Sequence, residues 1–402
     1  MTRERPPGAV LQLAALSAAM ILGMTPWFSA TVAAPGMTAE WRHSGAVSAW
    51  LTIAVQLGFV LGTFISAVLL LSDRWSARRL AAVSSLIAAA TTACLAAPSI
   101  EVGQAVALRV VTGAALAGVY PPGIKIAAGW WLDRRGTAIG VLVGALTIGS
   151  AGPNLLRLGT YGSEWRIVVL GAAAAASVSA LLFFVVVKEG PFQAQSAPFE
   201  SGALLAVLRD RGVILATAGY LGHMWELYAM WSSIGVFWTY AAVVHRIDAS
   251  TAAVLAFLTI AAGTAGCIVA GIAADRVGRP KVTIIAMLAS GACAMVIGAL
   301  VTGSLVVLIT VALIWGASIV ADSAQFSAAV TELAPSRYVG TAITLQTCAG
   351  FLLTIVTIRL VPVWVEWWGW ERAYMPLAIG PALGVLAMWR LSRDSRLASR
   401  RV

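Results

Sequence analysis

Between two long apolar runs the chain reads Gly271-Ile-Ala-Ala-Asp275-Arg276-Val-Gly278-Arg279-Pro-Lys281. Gly271 allows a helix end to pack closely on its neighbour, and Gly278 allows a tight reversal of the chain. Asp275 can cap a helix or pair with an arginine at a helix end. Arg279 and Lys281 favour the cytoplasmic side of a membrane. The stretch therefore predicts a basic turn between two membrane-spanning helices.

The spacing of this turn, G-x-x-x-D-R-x-G-R-x-K, resembles the loop signature of the major facilitator superfamily, which joins the second and third helices of each six-helix half. The resemblance implies that the turn helps to close the cytoplasmic side, with a gating role for Gly271, Asp275, Arg276, Gly278 and Arg279. A degenerate copy lies about 200 residues earlier and adds two more candidates, Asp73 and Arg74.

Two further pairs of segments recur at nearly the same offset. Arg135-Gly136-Thr137-Ala138 matches Val339-Gly340-Thr341-Ala342, and Glu164-Trp165-Arg166 loosely matches Trp370-Glu371-Arg372. Pairs in the same order at one offset indicate an internal duplication. We therefore expect an all-α polytopic membrane protein of twelve transmembrane helices in two pseudo-symmetric six-helix bundles. The predicted bundles are 1–188 and 212–402, with a polar, proline-containing cytoplasmic linker at 189–211.

The amino-acid composition is typical of a membrane protein. Of its 402 residues, 60% are apolar and only 11% are charged, whereas a soluble domain carries about a quarter charged residues. The net charge of +10 does not indicate a nucleic-acid partner, because the basic residues lie at span ends. The four cysteines lie in apolar runs and are expected to pack as small apolar residues. No nucleophile–base constellation or cofactor motif is evident, so neither an enzyme nor a cofactor is predicted.

A membrane span needs about 20 apolar residues. By that rule we predict helices near 10–34, 46–71, 80–98, 103–128, 137–157, 166–188, 212–243, 251–273, 282–302, 304–331, 341–364 and 372–391. Most of the 27 Lys and Arg residues then fall on one side. The positive-inside rule therefore predicts cytoplasmic termini and an inner-membrane location.

Charged groups inside a span are costly and mark candidate functional sites. Arg109, in the fourth predicted helix, resembles the superfamily's R-x-x-x-G signature, which implies substrate or proton handling. A structural arginine bonded to helix ends is the alternative. Pro26 bends the first helix beside Trp27, a candidate cavity aromatic.

The seventh predicted helix carries Tyr220, His223 and Glu226 at spacings of three. Residues three apart share a helical face, and an imidazole beside a carboxylate can exchange a proton near neutral pH. In the superfamily the first helix of each half lines the cavity. The resemblance therefore implies a proton-coupling role for His223 and Glu226, while a buried polar cluster that only holds helices together is the alternative.

Three further polar residues complete the candidate set. Asp322, in the tenth predicted helix, belongs to the half opposite Arg109, so it is expected to pair with that arginine or to act as a gate at a helix end. Gln346 and Arg359 lie on the eleventh predicted helix and are candidate substrate contacts, although Arg359 near the outer end can simply snorkel.

Together these residues predict a monomeric secondary transporter that works by alternating access. A fixed arginine favours an anionic substrate such as a carboxylate, and the His–Glu pair favours proton coupling, so proton-linked transport of a small anion is the first hypothesis. Proton-driven efflux of a drug-like or cationic compound is the main alternative, with Glu226 and Asp322 binding the cation. A lipid transporter and a non-transporting scaffold are weaker alternatives.

Overall fold

A computed structural model describes residues 6–42, 46–131, 135–158, 164–192, 207–335 and 338–394. Within this part of the chain, eleven helices are long and apolar enough to cross a membrane. A further helix of 18 residues, Ala77–Cys94, packs between neighbouring spans and completes the predicted twelve. The protein is therefore a multi-pass helical membrane protein.

The twelve helices follow one another with short connections, except for the linker. Their bounds are α1 (Ala9–Met24 and Pro26–Trp41), α2 (Ala46–Leu69), α3 (Ala77–Cys94), α4 (Val102–Leu116 and Tyr120–Trp130), α5 (Arg135–Leu156), α6 (Trp165–Val185), α7 (Arg211–His245), α8 (Ala249–Ala261 and Gly263–Val277), α9 (Arg279–Val296), α10 (Leu305–Ala321 and Ser323–Leu333), α11 (Val339–Trp368) and α12 (Trp370–Ala373, a 3₁₀ turn Met375–Ala378, and Ile379–Arg393). The middle of the predicted linker, 193–206, lies outside the described residues.

Several helices are interrupted near their midpoints for identifiable reasons. Pro26 starts the second segment of α1, and its missing N–H and its ring disturb the ladder there. Pro121 and Pro122 follow the break in α4. In α10 the break falls at Asp322, which ends one segment and begins the next. Breaks inside a membrane are tolerated where protein groups satisfy the freed carbonyls.

Glycines bring the same helix pairs together in both halves of the chain. A Cβ at Gly58 of α2 would overlap the carbonyl oxygen of Val110 on α4. A Cβ at Gly316 of α10 would overlap the carbonyl oxygen of Thr259 on α8. Small residues at crossings let helix backbones approach closely. The α2–α4 and α8–α10 contacts occupy equivalent places, as an internal duplication requires.

In each half, the first and last helices are tied together in a similar way. Arg166 of α6 binds Glu40 of α1 through two hydrogen bonds of 2.9 and 2.6 Å. In the second half, the Tyr240 hydroxyl of α7 donates a 2.7 Å bond to Glu371 of α12. These contacts join the first and last helices of each half. They involve Arg166 and Glu371, which belong to the recurring segments Glu164-Trp165-Arg166 and Trp370-Glu371-Arg372.

Contacts between the halves run along two seams. On one, the Thr264 hydroxyl of α8 donates a 2.9 Å bond to the carbonyl oxygen of Gly144 on α5. On the other, the rings of Phe59 on α2 and Phe351 on α11 lie 4.5 Å apart. The candidate polar residues lie on the helices next to these seams, chiefly α1, α7 and α10.

Candidate functional site

A buried acid–base pair joins α7 to the break in α10. The Nδ1 atom of His223 lies 2.8 Å from Oδ1 of Asp322, and both side chains are at most 2% exposed. The other ring nitrogen of His223, Nε2, has no hydrogen-bond partner among the described residues. One nitrogen of this imidazole thus lies at ion-pair distance from a carboxylate oxygen and the other is open to a further partner, while Asp322 Oδ1 itself has no hydrogen-bond partner among the described residues.

Asp322 lies where the two segments of α10 meet. Its backbone N–H donates to the carbonyl oxygen of Val320 in the first segment, while its carbonyl oxygen accepts the Gln325 N–H of the second segment at 2.9 Å. The expected charge pair between Asp322 and Arg109 does not form, because Asp322 faces His223 and Arg109 is engaged elsewhere. Asp322 does not lie at an end of the span either, since it stands at the break between Leu305–Ala321 and Ser323–Leu333, so its gating role stays a prediction.

Glu226 is buried on the same helix but has its own partners. Trp315 Nε1 on α10 donates a 2.6 Å bond to Glu226 Oε1, and the Ser290 hydroxyl on α9 donates a 2.8 Å bond to Oε2. No lysine, arginine or histidine of the described chain is within ion-pair distance of Glu226. The expected His223–Glu226 pair is thus replaced by two separate polar centres one turn apart on α7.

Sequence reasoning missed Trp315 and Ser290, the two donors to Glu226. Trp315 stands in the middle of the apolar span Leu305–Ala321, far from the interfaces where tryptophan is usually found. An indole N–H buried at that depth needs an acceptor. That position was the available signal, and it points to a buried acceptor such as Glu226.

Tyr220 accompanies His223 as predicted. Its ring lies 6.1 Å from the imidazole and 6.2 Å from the ring of Phe326, which itself lies 5.6 Å from His223. Phe326 belongs to the second segment of α10 (Ser323–Leu333, called the inner segment below), four residues after Asp322. The acid–base pair is therefore enclosed by aromatic rings on its α10 side.

Arg109 is fully buried and bonded to backbone carbonyls of the first two helices. Its Nε donates to Leu51 of α2 at 3.3 Å, and its terminal nitrogens donate to Pro26 at 2.9 Å and to Trp27. The Pro26 and Trp27 carbonyls belong to the turn where α1 is interrupted. This geometry matches the structural alternative for Arg109, in which the guanidinium satisfies carbonyls at a helix break.

Six rings from four helices meet where the halves face each other, and we call them the aromatic cluster: Trp27, Phe28, Phe59, Tyr228, Trp231 and Phe351. Trp27 lies 4.8 Å from Phe59 and 5.7 Å from Tyr228, centroid to centroid. Tyr228 lies 5.6 Å from Trp231. The first three rings come from α1 and α2 and the others from α7 and α11, so the cluster bridges the two halves.

The two candidates on α11 differ in their surroundings. Gln346 is buried, and neither atom of its amide has a hydrogen-bond partner in the described part of the chain. Arg359 is exposed on the helix surface, which agrees with a side chain that snorkels. Gln346 thus resembles a site residue more closely than Arg359 does.

The basic turn after α8 contacts both halves. Gly278 has a φ of 86°, a left-handed conformation that suits glycine. Arg279 binds Glu332 and Gln325 on the inner segment of α10, at 2.8 Å in each case. A Cβ built at Gly136, at the start of α5, would lie 3.2 Å from Asp275 Oδ1. Gly271 is buried beside that glycine, and Arg276 is exposed.

The degenerate copy of the turn is less informative. Its backbone forms a short helix, Leu71–Arg74, and Arg74 is exposed. The side chain of Asp73 lies outside the described residues. A gating role for these two positions therefore stays a prediction.

Comparison with known proteins agrees with this architecture. Residues 16–356 match the family described as Major Facilitator Superfamily. An MFS-type transporter, pytF, of Aspergillus terreus (strain NIH 2624 / FGSC A1156) is 29% identical over 170 residues, which cover 42% of this chain and 55% of that protein. The match thus spans only about half the length of that relative.

A solved structure shares the fold at low sequence identity. It is a bacterial homologue of the human lysosomal transporter Spinster, in an inward-facing and unoccupied conformation. The TM-score is 0.71 at 14% identity, over 99% of each chain. Because the family match covers most of the sequence, the chain belongs to the major facilitator superfamily.

Proposed function

We propose that this member of the major facilitator superfamily couples proton movement to the transport of a small molecule, and that His223 and Asp322 carry the coupled proton. The observation that supports this proposal is the 2.8 Å contact between the two buried side chains. Histidine is the side chain that ordinarily changes charge near neutral pH. Ionisable groups inside a membrane protein are by default candidates for proton relays.

The position of Asp322 links protonation of the His223–Asp322 pair to a movement of the α10 segments. Isolated charges are costly in an apolar interior, so an imidazolium and a carboxylate are stable there as a contacting pair. Asp322 sits between the two segments of α10, and a shift of one segment would change its distance from His223. Taking up or releasing a proton at the pair would therefore favour one arrangement of α7 and α10 over another.

The basic turn supplies a physical link from this pair to the cytoplasmic side. Arg279 holds Gln325 and Glu332 of the segment that begins after Asp322. Asp275 of the same turn reaches the first residues of α5 in the other half. A displacement of the inner segment of α10 would act on both contacts. This arrangement supports the proposed gating role of the turn.

Glu226 is the second candidate proton carrier. Two neutral donors hold its carboxyl group, and no cation of the described chain faces it. Hydrogen bonds from Trp315 and Ser290 favour an ionised carboxylate, whereas burial without a cation opposes it. A group balanced between these two effects is suited to gain or lose a proton when its surroundings change.

Transport in proteoliposomes tests the coupling role. A panel of labelled small anions, cations and uncharged compounds would be offered with and without a pH gradient. For a transported compound, Asp322→Asn should abolish accumulation above equilibrium and spare exchange across the membrane. Asp248→Asn is the control, because Asp248 is an exposed helix cap. Wild-type accumulation by a well-folded Asp322→Asn protein would refute the proposal.

An anionic substrate remains one candidate, which rests on Arg109. The three carbonyl partners of this side chain weaken that case, since the guanidinium would have to exchange at least one of them for the substrate. The same observation favours the alternative of a drug-like or cationic substrate, for which Arg109 is structural. The inner-membrane location and the cytoplasmic termini are part of the proposal on the grounds of charge distribution, and a monomeric state is part of it as well.

A further inference from the structure

Four buried polar side chains around the aromatic cluster have hydrogen-bonding atoms without partners. The indole N–H groups of Trp27 and Trp231 have no acceptor, and the amides of Gln56 and Gln346 have neither donor nor acceptor, among the described residues. All four side chains are more than nine-tenths buried. These groups come from α1, α2, α7 and α11, so two belong to each half.

The two tryptophans occupy matching places in the two halves, and both lie close to one ring, that of Tyr228. Trp27 on α1 and Trp231 on α7 lie 5.7 and 5.6 Å from Tyr228, measured between ring centroids. α1 and α7 are the first helices of their halves, and each tryptophan is followed two residues later by a buried serine that bonds its own helix, Ser29 and Ser233. The unpartnered indoles are therefore a feature of both repeats.

The glutamines extend the same region along the second seam. Gln56 lies three residues before Phe59 on α2, and Phe59 packs on Trp27 at 4.8 Å. Gln346 lies one turn before Gly350 on α11, and a Cβ at that glycine would overlap the ring of Tyr220. Gln56 and Gln346 thus lie within about one helical turn of residues that contact Trp27 and Tyr220.

Four buried polar side chains without hydrogen-bond partners need a physical explanation. More than about nine in ten buried polar groups in folded proteins have a hydrogen-bond partner. Leaving one unpaired costs about 1–3 kcal/mol. In a transporter, the missing partner can be the substrate, which arrives between the halves and leaves again. Groups that must release a ligand in each cycle cannot be saturated by permanent protein partners.

The chemistry of the four groups indicates the ligand. Indole N–H groups only donate, while amides both donate and accept, and none of the four is charged. The nearby ionisable groups contact protein groups: Arg109 faces backbone carbonyls, Glu226 is held by Trp315 and Ser290, and Asp322 lies 2.8 Å from His223. Of these groups, His223 Nε2 and Asp322 Oδ1 have no hydrogen-bond partner among the described residues. The surrounding rings offer flat apolar surfaces on which another ring can stack.

We propose that Trp27, Trp231, Gln56 and Gln346 form the substrate site, and that it takes an uncharged, flat, largely aromatic molecule with at least two hydrogen-bond acceptors. This inference rests on the proposed transport function and names its substrate class. It replaces the anion with a neutral ligand, because the free donors at the site are neutral and dipolar.

Equilibrium dialysis with purified protein in detergent tests the site without any proton gradient. The probes are coumarin, which is uncharged and has two acceptor oxygens, coumarin-3-carboxylate as the matched anion, and a coumarin bearing a trimethylammonium group as the matched cation. We expect saturable binding of one coumarin per protein, at least ten times tighter than either charged probe. Preference for a charged probe, or no binding of coumarin, would overturn the proposal.

Conservative variants locate the bound probe. Trp27→Phe and Trp231→Phe keep an aromatic ring and remove the N–H, and each should weaken coumarin binding roughly threefold to tenfold, the effect of one lost hydrogen bond. Trp238→Phe is the matched control, because its N–H is already bonded to Thr259 at 3.0 Å. Gln346→Met provides a second route if a tryptophan variant is unstable. Unchanged affinity in all three site variants would show that water satisfies these groups.

The coumarin-binding experiment and the proton-coupling experiment can succeed or fail independently of each other. Coumarin binding without pH-driven accumulation of any compound would support the site and contradict proton coupling. Accumulation of an anion with no coumarin binding would support coupling and contradict the neutral site.

Discussion

Replacement of Arg109 by lysine separates a structural arginine from a substrate-binding one. The guanidinium makes hydrogen bonds to the carbonyls of Pro26, Trp27 and Leu51, and it joins the interrupted turn of α1 to α2. A lysine ammonium is a compact charge without the planar fork of arginine. It can keep a bond to one of these carbonyls, so about two of the three bonds are lost.

The expected loss of stability follows from these bonds. A hydrogen bond to a charged group contributes about 1.5–3 kcal/mol, so two of them give roughly 3–6 kcal/mol. Relaxation of the neighbouring helices and ordered water recover part of this, and about 3 kcal/mol is a reasonable net value. For a cooperative unit of 150–250 residues, 1 kcal/mol shifts the unfolding midpoint by about 2–4 °C. Arg109→Lys should therefore lower the midpoint by roughly 6–12 °C if the N-terminal half unfolds as one unit.

Thermal unfolding in detergent, measured together with ligand affinity, is the appropriate assay. Arg359→Lys is the control, because Arg359 is exposed on α11 and should leave the midpoint within a degree or two. If Arg109 is structural, the midpoint falls while the folded fraction binds substrate normally. An unchanged midpoint with a ten- to hundred-fold weaker affinity for an anion would refute the structural reasoning. That outcome would restore Arg109 to the substrate site.

Three further substitutions probe the other polar and close-packed positions. Glu226→Gln keeps the shape of the carboxyl group but cannot ionise, so it should remove pH-driven accumulation and spare exchange in proteoliposomes; accumulation equal to wild type would exclude Glu226 as a proton carrier. Asp275→Asn weakens the favourable charge at the start of α5 and should lower the transport rate at a normal level of protein in the membrane, whereas an unchanged rate would contradict the gating role of the turn. Gly316→Ala places a Cβ inside the carbonyl of Thr259 and should lower the unfolding midpoint by several degrees, while Gly103→Ala, with open space around its Cα, serves as the neutral control.

The helices themselves were predictable from the sequence. Each predicted span corresponds to an observed helix, with ends that agree within several residues, except where α1 continues to Trp41. The reason is physical: a chain in a bilayer must satisfy its backbone hydrogen bonds within each segment, so a run of about 20 apolar residues has one available structure. The duplication was also visible, because the basic turn keeps its Asp-Arg pair in both copies, although the first copy lacks the glycines, and because Gly136-Thr137-Ala138 recurs as Gly340-Thr341-Ala342.

The breaks in α8 and α10 were not predictable in the same way. Neither Ala262 nor Asp322 is a proline or stands beside one. Gly263 after Ala262 and the N-cap preference of aspartate at Asp322 are weak local signals, which do not by themselves predict an interruption inside a long apolar span. The breaks depend on tertiary contacts, in which glycines of one helix approach the backbone of another. A break changes the directions of the side chains on either side of it. These directions determine which neighbouring residue Asp322 contacts.

The sequence by itself determined the membrane class, the number of helices, the family and some of the buried polar residues, namely Arg109, His223, Glu226, Asp322 and Gln346. Only the tertiary structure decided their partners: His223 meets Asp322 and not Glu226, Glu226 meets Trp315 and Ser290, and Arg109 meets carbonyls. Helical periodicity states which face of a helix a residue shares, but a partner on another helix depends on which helices cross at that depth and on where each is interrupted. The unpaired tryptophans and glutamines are likewise a property of packing, since only the complete set of neighbours shows that a partner is missing.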